Sequence, residues 1–368
     1  MLSLVVITVL CAIYALTMLY FTLGILRSQG AKDSQATPSV SVVVPLHNEE
    51  NYALNTLKAL SQQDYSGKWE VICVNDRSTD NTLNILNDFA TQHSNFNVLS
   101  VPMDAPDLPS PKKRALETGF AIAKHEILMT MDADCIPPPG WLRLMASRFE
   151  NNIAIVQGPK KNFGSNSILH SYQKLDTLGF TLIEAAGFSN KMPMVASAAA
   201  LAYRKDLFYK VGGFSDLMQY MSGDDDMLVH KMIKEPVDYC YNLEPDAAVA
   251  TAPVDSWKAL LNQRARWSSN GTKYGNPAYT LFLTLIFCFY CWLLVGPFFS
   301  LAGLTPWSWW MGSFIVKFAV DAIMLGIGGW RLKCFKLLLW LPVVEIIQVP
   351  LIVFSVLKGL FFKNLRWE

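Results

Sequence analysis

Two kinds of hydrophobic pattern divide the chain: long, uninterrupted apolar runs at its two ends and short apolar runs in its middle. Residues 1–26 carry no charged side chain, and a helix of this length crosses the roughly 30 Å of hydrocarbon in a bilayer. The pattern predicts membrane-spanning helices on both sides of a folded domain. The three later apolar stretches are Tyr279–Ala302, Trp309–Trp330 and Leu337–Leu357.

Strand-like and helix-like patterns alternate between these apolar ends. Four short apolar runs are each followed by polar residues, and segments with helical periodicity separate the runs. This alternation is typical of an α/β domain with a largely parallel sheet and helices on both faces. The segment 153–214 is less regular and includes a long predicted helix at Ile168–Phe188. The four predicted strands are residues 40–45, 69–75, 96–101 and 126–131.

The last predicted helix before the apolar end, Asp255–Lys273, is amphipathic. Its aromatic residues include Trp257 and Trp267, and Arg264 and Arg266 are among its cations, a combination typical of a helix lying at a membrane surface. The sequence therefore predicts four regions: an N-terminal transmembrane anchor at 1–26, an α/β domain at 27–252, an amphipathic interface helix at 253–275, and a C-terminal transmembrane region of about three segments at 276–368.

The distribution of basic residues predicts the orientation in the membrane. Arg27 and Lys32 follow the first apolar segment, whereas the loop at 304–309 contains no basic residue. Arg331 and Lys333 lie in the next loop. Because basic residues favour the inner side, we expect the amino terminus outside and the α/β domain in the cytosol.

The last apolar segment fits this scheme less simply. It contains Pro342, Glu345 and Pro350, and cations follow it. If the segment spans the membrane, those cations lie on the outer side. A kinked re-entrant hairpin would keep them inside, and the sequence leaves both topologies open. The cations that follow are Lys358, Lys363 and Arg366.

Composition narrows the classes of function. Hydrophobic residues make up 52% of the chain and the mean hydropathy is +0.24, values that agree with membrane insertion. The net charge of +1 argues against a nucleic-acid partner. The seven cysteines are scattered, and Cys288 and Cys291 lie in an apolar run where packing is the expected role. Without a disulfide framework, a reducing compartment is expected for the polar domain.

Acidic residues follow two of the predicted strands. Asp132 and Asp134 end the fourth strand and Asp76 ends the second, so all three are expected at one edge of the sheet, where open α/β sheets bind ligands. Two neighbouring carboxylates suit a divalent cation held together with a phosphorylated ligand. The alternative is a pair of turn-forming aspartates before a proline-rich loop. Asp76 is likewise either a ligand to a nucleoside or the start of a turn at Ser78.

Further polar groups are expected near the same edge. Asn48 and Glu49 follow the first strand, and Lys112 at a helix start either counters a diphosphate or is an ordinary solvated lysine. The run Asp224–Asp226 opens a later helix and offers a general base whose pKa its neighbours would raise. In the amphipathic helix, Gln263–Trp267 carries two arginines and an aromatic face.

Lys317 and Asp321 are four residues apart inside a predicted span. Each would be costly in lipid alone, so we expect them to pair with each other. The alternative is that they line a substrate path.

Taken together, these motifs resemble the membrane-integral family 2 glycosyltransferases, inverting enzymes with a GT-A fold, in particular the branch with ceramide glucosyltransferase, hyaluronan synthase and cellulose synthase. The departures are Asp224 where the family has glutamate and Glu117 where many relatives carry asparagine. The matching segments are Val44–Glu49, Asn75–Ser78, Lys112 with Ala115–Leu116, Asp132–Asp134, Gly223–Leu228 and Gln263–Trp267.

The resemblance implies a role for each matched residue. Asp134 and Asp132 would hold a divalent cation, Mg²⁺ or Mn²⁺, and Asp225, with Asp224 beside it, would act as the base. The donor would be a nucleotide-sugar, a UDP-sugar by the family pattern. Its expected binding residues are Pro45, Asn48, Glu49, Asp76, Lys112 and Asp132, and those near the diphosphate and acceptor are Gln263, Arg266 and Trp267.

The resemblance leaves the acceptor open. A short chain with four hydrophobic segments favours transfer of one sugar to a lipid acceptor in a bacterial inner membrane. The alternative is a processive polysaccharide synthase that elongates and extrudes a glycan. A transporter or non-catalytic scaffold is disfavoured because the α/β block dominates and no internal repeat is evident. The oligomeric state is not predicted.

Overall fold

The structure, a computed structural model, describes residues 2–28, 36–150, 152–271 and 273–361. Three of the cations on which the predicted membrane orientation depends lie outside these ranges: Lys32, Lys363 and Arg366. The strands are β1 Val40–Leu46, β2 Trp69–Asp76, β3 Phe96–Val101, β4 Ile127–Thr130, β5 Cys135–Ile136, β6 Ile153–Gln157, β7 Lys160–Asn162, β8 Leu201–Arg204, β9 Asp238–Tyr241 and β10 Val249–Thr251.

The α-helices alternate with the strands and then form the apolar end of the chain. They are α1 Leu2–Arg27, α2 Ala53–Ser61, α3 Thr82–Gln92, α4 Pro111–Ile122, α5 Trp141–Ala146, α6 Ile168–Ser189, α7 Lys205–Lys210, α8 Asp226–Met232, α9 Trp257–Ser268, α10 Pro277–Leu301, α11 Trp307–Arg331 and α12 Leu341–Phe361. Short 3₁₀ helices lie at Ala198–Ala200, Pro245–Ala247 and Phe335–Trp340.

A seven-stranded sheet with the order β3-β2-β1-β4-β8-β6-β9 forms the centre of the α/β domain. The strands β1 to β4 run parallel to their neighbours in this group, and β8 pairs antiparallel with both β4 and β6. The predicted α/β fold with a largely parallel sheet is therefore confirmed. Strand β8 was not predicted, because it is only four residues long and follows directly on a run of three alanines, so no alternation of polar and apolar residues marks it.

Helices cover both faces of the sheet and bury its apolar side chains. Every residue of β1 is buried, as expected for a central parallel strand. Helix α4 packs closely on β1 and β2 at Gly119, where an added Cβ would lie 2.5 Å from Val43. This close packing fixes the amino-terminal end of α4 near the ends of β1 and β2, where ligands bind in such sheets.

Four helices among the described residues are long and apolar enough to span a membrane. Helix α1 contacts α6, α10 and α11, so the first apolar helix packs with helices from later in the chain. At the centre of this bundle, Lys317 Nζ donates to Asp321 Oδ2 and Gln348 Oε1, both at 2.8 Å, and also pairs with Glu345. Tyr14 Oη donates to Asp321 Oδ1 at 2.8 Å. The predicted pair of Lys317 and Asp321 is confirmed, within a larger polar cluster.

The last apolar segment returns to the side where it starts. The 3₁₀ helix that leads into it begins at Phe335, which lies against Gly329 at the end of α11. Near the other end of the segment, Lys358 Nζ donates to Asn262 Oδ1 of α9 at 2.5 Å, and Gly359 lies against Ala265 of the same helix. Both ends are therefore on the side of the α/β domain, which agrees with the re-entrant topology.

Candidate active site

Asp132 and Asp134 lie in the short turn between β4 and β5. One ligand atom from each, together with Cys135 Sγ, falls within 4.8 Å of the others. The turn is anchored by Thr56, whose hydroxyl donates to the carbonyl of Ala133 at 2.6 Å. Burial, and then the negative charge of Asp132, raises the pKa of Asp134 to about 6. A bound cation would relieve this repulsion.

The cysteine of this cluster is not a suitable metal ligand. Burial and the neighbouring carboxylates raise the pKa of Cys135 well above its usual value, so the thiol keeps its proton. The thiol donates to Asp134 Oδ1 at 3.4 Å. The groups available to a metal are therefore carboxylate oxygens, the ligands that Mg²⁺ and Mn²⁺ prefer. The residues present fit the divalent cation that the sequence predicted.

Glu49 adds a further acidic group beside this pair. Burial raises the pKa of Glu49 to about 7, with further contributions from the charges of Asp134, Asp132 and Asp80. Asn48, in contrast, ties two loops together: its Oδ1 accepts from the amide of Thr79 at 2.8 Å. Glu49 is therefore close to the metal-binding candidates, whereas Asn48 orders the loop that carries Glu49.

Asp76 lies at the end of β2 and is buried. Arg114 Nη2 donates to its two oxygens at 2.7 and 3.0 Å, and Arg77 Nε donates to Oδ1 at 3.1 Å. These bonds hold the carboxylate in one orientation. It forms part of the wall of a depression whose other lining residues are Pro45, Leu46, His47, Arg77, Pro111, Lys112 and Ala115.

Lys112 joins the two acidic motifs. Its Nζ lies 2.6 Å from Asp132 Oδ1 and 2.8 Å from Asp224 Oδ2. Burial alone would lower the pKa of Lys112, but the charges of Asp132, Asp224 and Asp225 raise it, so the ammonium stays charged. Residues that are 92 positions apart in the sequence, Asp132 and Asp224, therefore share one cation.

The acidic run lies at the start of α8 and on the same edge of the sheet. Asp225 Oδ2 accepts from the amide of Ala198 at 3.3 Å, and the carbonyl of Ala198 accepts from Thr130 Oγ1 of β4 at 2.6 Å. Asp225 is thus linked through Ala198 to β4, the strand that ends two residues before Asp132. The hydrogen bond from the Ala198 amide orients the Asp225 carboxylate, the group that would act as the base.

The three aspartates of the run have different pKa values. Burial, followed by repulsion from Asp224 and Asp226, raises the pKa of Asp225 well above its usual value. Burial also raises that of Asp226, whose carboxylate accepts from the Tyr274 hydroxyl. For Asp224 burial acts in the same direction, but Lys112 outweighs it and lowers the pKa. A raised pKa suits a carboxylate that accepts a proton from a hydroxyl.

Helix α9 lies next to the acidic run. Just after this helix, Asn270 Nδ2 donates to Ser222 Oγ at 2.8 Å. Arg266 is half-buried, and burial lowers its pKa, whereas the charges of Asp224, Asp225 and Asp132 oppose that shift. Arg266 is therefore within electrostatic range of both acidic motifs.

The other members of the Gln263–Trp267 motif are arranged differently. The guanidinium of Arg264 stacks over the ring of Trp267 at 4.1 Å and pairs with Asp176 of α6. One face of Trp267 is thus covered by a neighbour, and the ring keeps an exposed fraction of 38%. Gln263 is half-buried on the same helix. Arg264, which the sequence suggested as a surface cation, instead fastens α9 to α6.

Several residues of the site were not predicted from sequence. Arg114 and Lys113 follow Lys112 directly, and the basic run Lys112–Arg114 at a helix start is the signal that could have pointed to them. Tyr274 and Asn270 gave no signal, because isolated polar residues after a helix are common. Their contacts are made with partners about 48 residues away in sequence.

Comparison with known proteins adds an independent line of support. The family profile described as "Glycosyl transferase family 2" matches residues 41–212, and "Glycosyl transferase family group 2" matches residues 127–352. The probable glycosyltransferase YdaM of Bacillus subtilis (strain 168) is 28% identical over 244 residues, which are 64% of this chain and 56% of YdaM. The poly-beta-1,6-N-acetyl-D-glucosamine synthase of Staphylococcus epidermidis is 25% identical over 245 residues, 65% of this chain and 56% of the synthase.

Among solved structures, the mannosyltransferase PcManGT from Pyrobaculum calidifontis, in complex with GDP-Man and Mn²⁺, has a TM-score of 0.61 at 18% identity. The alignment covers 98% of this chain and 99% of PcManGT, which shows a shared fold. The chain spans just over half the length of the two curated relatives named above. The second family profile covers more than half of the chain, and the chain therefore belongs to the family 2 glycosyl transferases.

Proposed function

We propose that this protein is a membrane-integral, inverting glycosyltransferase that moves a sugar from a nucleotide-sugar, a UDP-sugar as the first choice, to a lipid acceptor. The observation that carries the proposal is the position of Lys112 between Asp132 and Asp224. This arrangement puts a carboxylate pair suited to a metal–diphosphate beside a buried acidic run suited to proton transfer.

In this proposal each chain residue has a defined task. Asp225 accepts the proton of the acceptor hydroxyl while the hydroxyl oxygen forms a bond to the anomeric carbon. The bond from that carbon to the diphosphate breaks, and its electron pair leaves with the nucleoside diphosphate, so the configuration is inverted. Arg266 contributes positive charge near the departing group. Asp134 and Asp132 would hold a divalent cation, which when bound would neutralise negative charge on the diphosphate.

The packing of the membrane helices favours a lipid acceptor over an extruded polymer. Lys317 is fully buried, and its partners from α11 and α12 occupy the centre of the bundle. Lys317 and Asp321, which the sequence suggested as an alternative for a substrate path, are thus engaged in contacts with each other and with their neighbours. The processive synthase remains the second candidate, because a polysaccharide synthase is among the relatives.

The basic residues at the helix ends support a cytosolic position for the α/β domain. Arg331 at the end of α11 donates through Nη2 to the carbonyl of Ser28 at 2.8 Å, so the basic ends of α1 and α11 meet beside that domain. Such clusters favour the cytosolic side of a membrane, here proposed to be a bacterial inner membrane.

A donor and acceptor panel tests the proposal. Purified protein is incubated with UDP- and GDP-sugars, Mn²⁺ or Mg²⁺, and a total membrane lipid extract, and the products are analysed by mass spectrometry. We expect a lipid that carries one or two sugars and that requires the metal. The matched variants are Asp134→Asn, which should lose transfer, and Asp64→Asn, an exposed carboxylate whose loss should have no effect. A long polymer would favour the synthase, and no transfer with any donor would contradict the proposal.

A further inference from the structure

Lys113, the residue after Lys112, makes a set of contacts that the proposed chemistry does not use. Its side chain is fully buried. Its Nζ donates to the backbone carbonyls of Leu217, Tyr220 and Ser222 at 3.0, 2.8 and 2.8 Å. An ammonium group has three protons, so all of them are engaged. The three carbonyls belong to one loop, the segment 213–223, which we call the acidic-run loop because it leads directly into Asp224.

Glu117 holds the other end of this loop. Its Oε1 accepts from the amide of Phe214 at 3.2 Å. Because Glu117 follows Lys113 by four residues on α4, the two side chains lie on the same face of that helix. Glu117 is also the position where the sequence departs from the asparagine of many relatives. The acidic-run loop is thus fastened to α4 near its start and along its second half.

The loop needs external support because it consists of turns between α7 and α8. It begins and ends at glycines with positive φ: Gly213 has a φ of +52° and Gly223 a φ of +95°. Such positions leave the backbone with few local restraints. The contacts from α4 therefore help to determine where the loop delivers the acidic run. Lys231 of α8, which donates to the carbonyl of Gly213 at 3.0 Å, and Asn270, which donates to Ser222, hold the loop from other sides.

Helix α4 consequently bonds both to the acidic run and to the backbone before it. Lys112 binds the carboxylate of Asp224, and Lys113 binds the carbonyl of Ser222, two residues earlier. The same helix end also contacts Asp132. We infer that Lys113 and Glu117 are positioning residues that set the distance between the acidic run and the donor site. This inference rests on the proposed role of Asp225 as the base.

The test separates positioning from binding. Lys113→Met is expected to lower kcat by about 100-fold, because a displacement of about 1 Å in a reacting group costs this much. The dissociation constant for UDP with Mn²⁺ is expected to stay within about threefold, because the variant leaves Asp76 and Asp134 untouched. Lys58→Met, at an exposed position on α2, is the control and should match the wild type in both measurements.

A second pair of variants addresses the other contact and covers the case in which Lys113→Met does not fold. Glu117→Leu removes the acceptor for the Phe214 amide and is expected to lower kcat by about tenfold with unchanged UDP affinity. Glu117→Gln keeps an acceptor oxygen and should retain most of the activity. Equal kcat values for Glu117→Leu and Glu117→Gln would overturn the inference for this contact.

Two outcomes would overturn the positioning role itself. If kcat stays within twofold in Lys113→Met and Glu117→Leu while Asp225→Asn is inactive, the inference is wrong and the proposed function stands. If UDP affinity falls together with kcat, the contacts support the domain in general and do not position the base. Asp225→Asn with full activity would remove the proposed function, on which the inference depends.

Discussion

Replacing Lys112 by methionine tests whether this lysine neutralises the two acidic motifs. The variant keeps the length and packing of the side chain but removes the charge that lies 2.8 Å from Asp224 and 2.6 Å from Asp132. Asp224 is then a buried carboxylate without its cation, with a side-chain exposure of 8%. Asp132 retains 33% exposure, so water screens a larger part of its charge.

The size of the effect follows from these exposures. Removing one partner of a buried ion pair costs about 3–5 kcal/mol, and the exposure of Asp132 places the expectation at about 3 kcal/mol. For a domain of this size, each kcal/mol lowers the unfolding temperature by about 2–4 °C, so a decrease of about 6–12 °C is expected.

The assay is thermal unfolding of the purified protein in detergent at pH 7, with Lys124→Met as the control. Lys124 is 72% exposed and lies 3.8 Å from Glu70, so its loss should change the unfolding temperature by only about 1–2 °C. The pKa of Asp224 is lowered in the folded protein, so its stabilising contribution is present above pH 3.8 and is lost as the pH falls below that value. The difference between wild type and Lys112→Met should shrink accordingly. Equal unfolding temperatures for the two lysine variants at pH 7 would refute the reasoning.

Three further predictions concern other parts of the molecule. Lys317→Met should destabilise the bundle of apolar helices by about 3–5 kcal/mol in thermal unfolding, because it leaves two buried carboxylates without a cation. The exposed Lys336→Met should not, and equal stability of the two variants would contradict this prediction. Gly359→Leu should lower the unfolding temperature, because even a Cβ at this position would lie 2.4 Å from the carbonyl oxygen of Ala265; an unchanged temperature would speak against this packing. The gain in stability of Asp225→Asn over the wild type should be larger at pH 7 than at pH 4, because a carboxyl with a raised pKa loses its stabilising contribution as the pH rises. A stability gain that does not grow with pH would show that the pKa of Asp225 is not raised.

The sequence was sufficient to predict which acidic residues lie at the carboxyl-terminal edge of the parallel strands. Asp76 and Asp132 each follow a short apolar run, and the parallel arrangement of such runs brings their ends together. Lys112 was a candidate because of its position at a helix start, with a diphosphate contact and an ordinary solvated lysine as the two alternatives. These predictions depend only on residues that are neighbours in the sequence, and such local patterns determine where each strand or helix begins and ends.

The contacts that organise the site were not predictable in the same way. That Lys112 would bond to Asp224, or Arg114 to Asp76, depends on how α4 lies relative to loops distant in sequence. The hydrogen bonds of Lys113 go to backbone carbonyls, which every residue carries, so no side-chain pattern announces them. The topology of the last apolar segment was undecided because charge rules describe the ends of helices and not the path between them.

The central claim is that Asp225 takes the proton of the acceptor while the nucleotide is held by other residues. It is tested most directly by measuring sugar transfer and UDP–Mn²⁺ affinity side by side in Asp225→Asn. We predict a loss of transfer of about 10²-fold or more with an affinity close to that of the wild type, because the amide cannot accept the proton and the residues near the diphosphate are unchanged. Transfer at the wild-type rate, or a loss of UDP affinity that parallels the loss of transfer, would contradict the account.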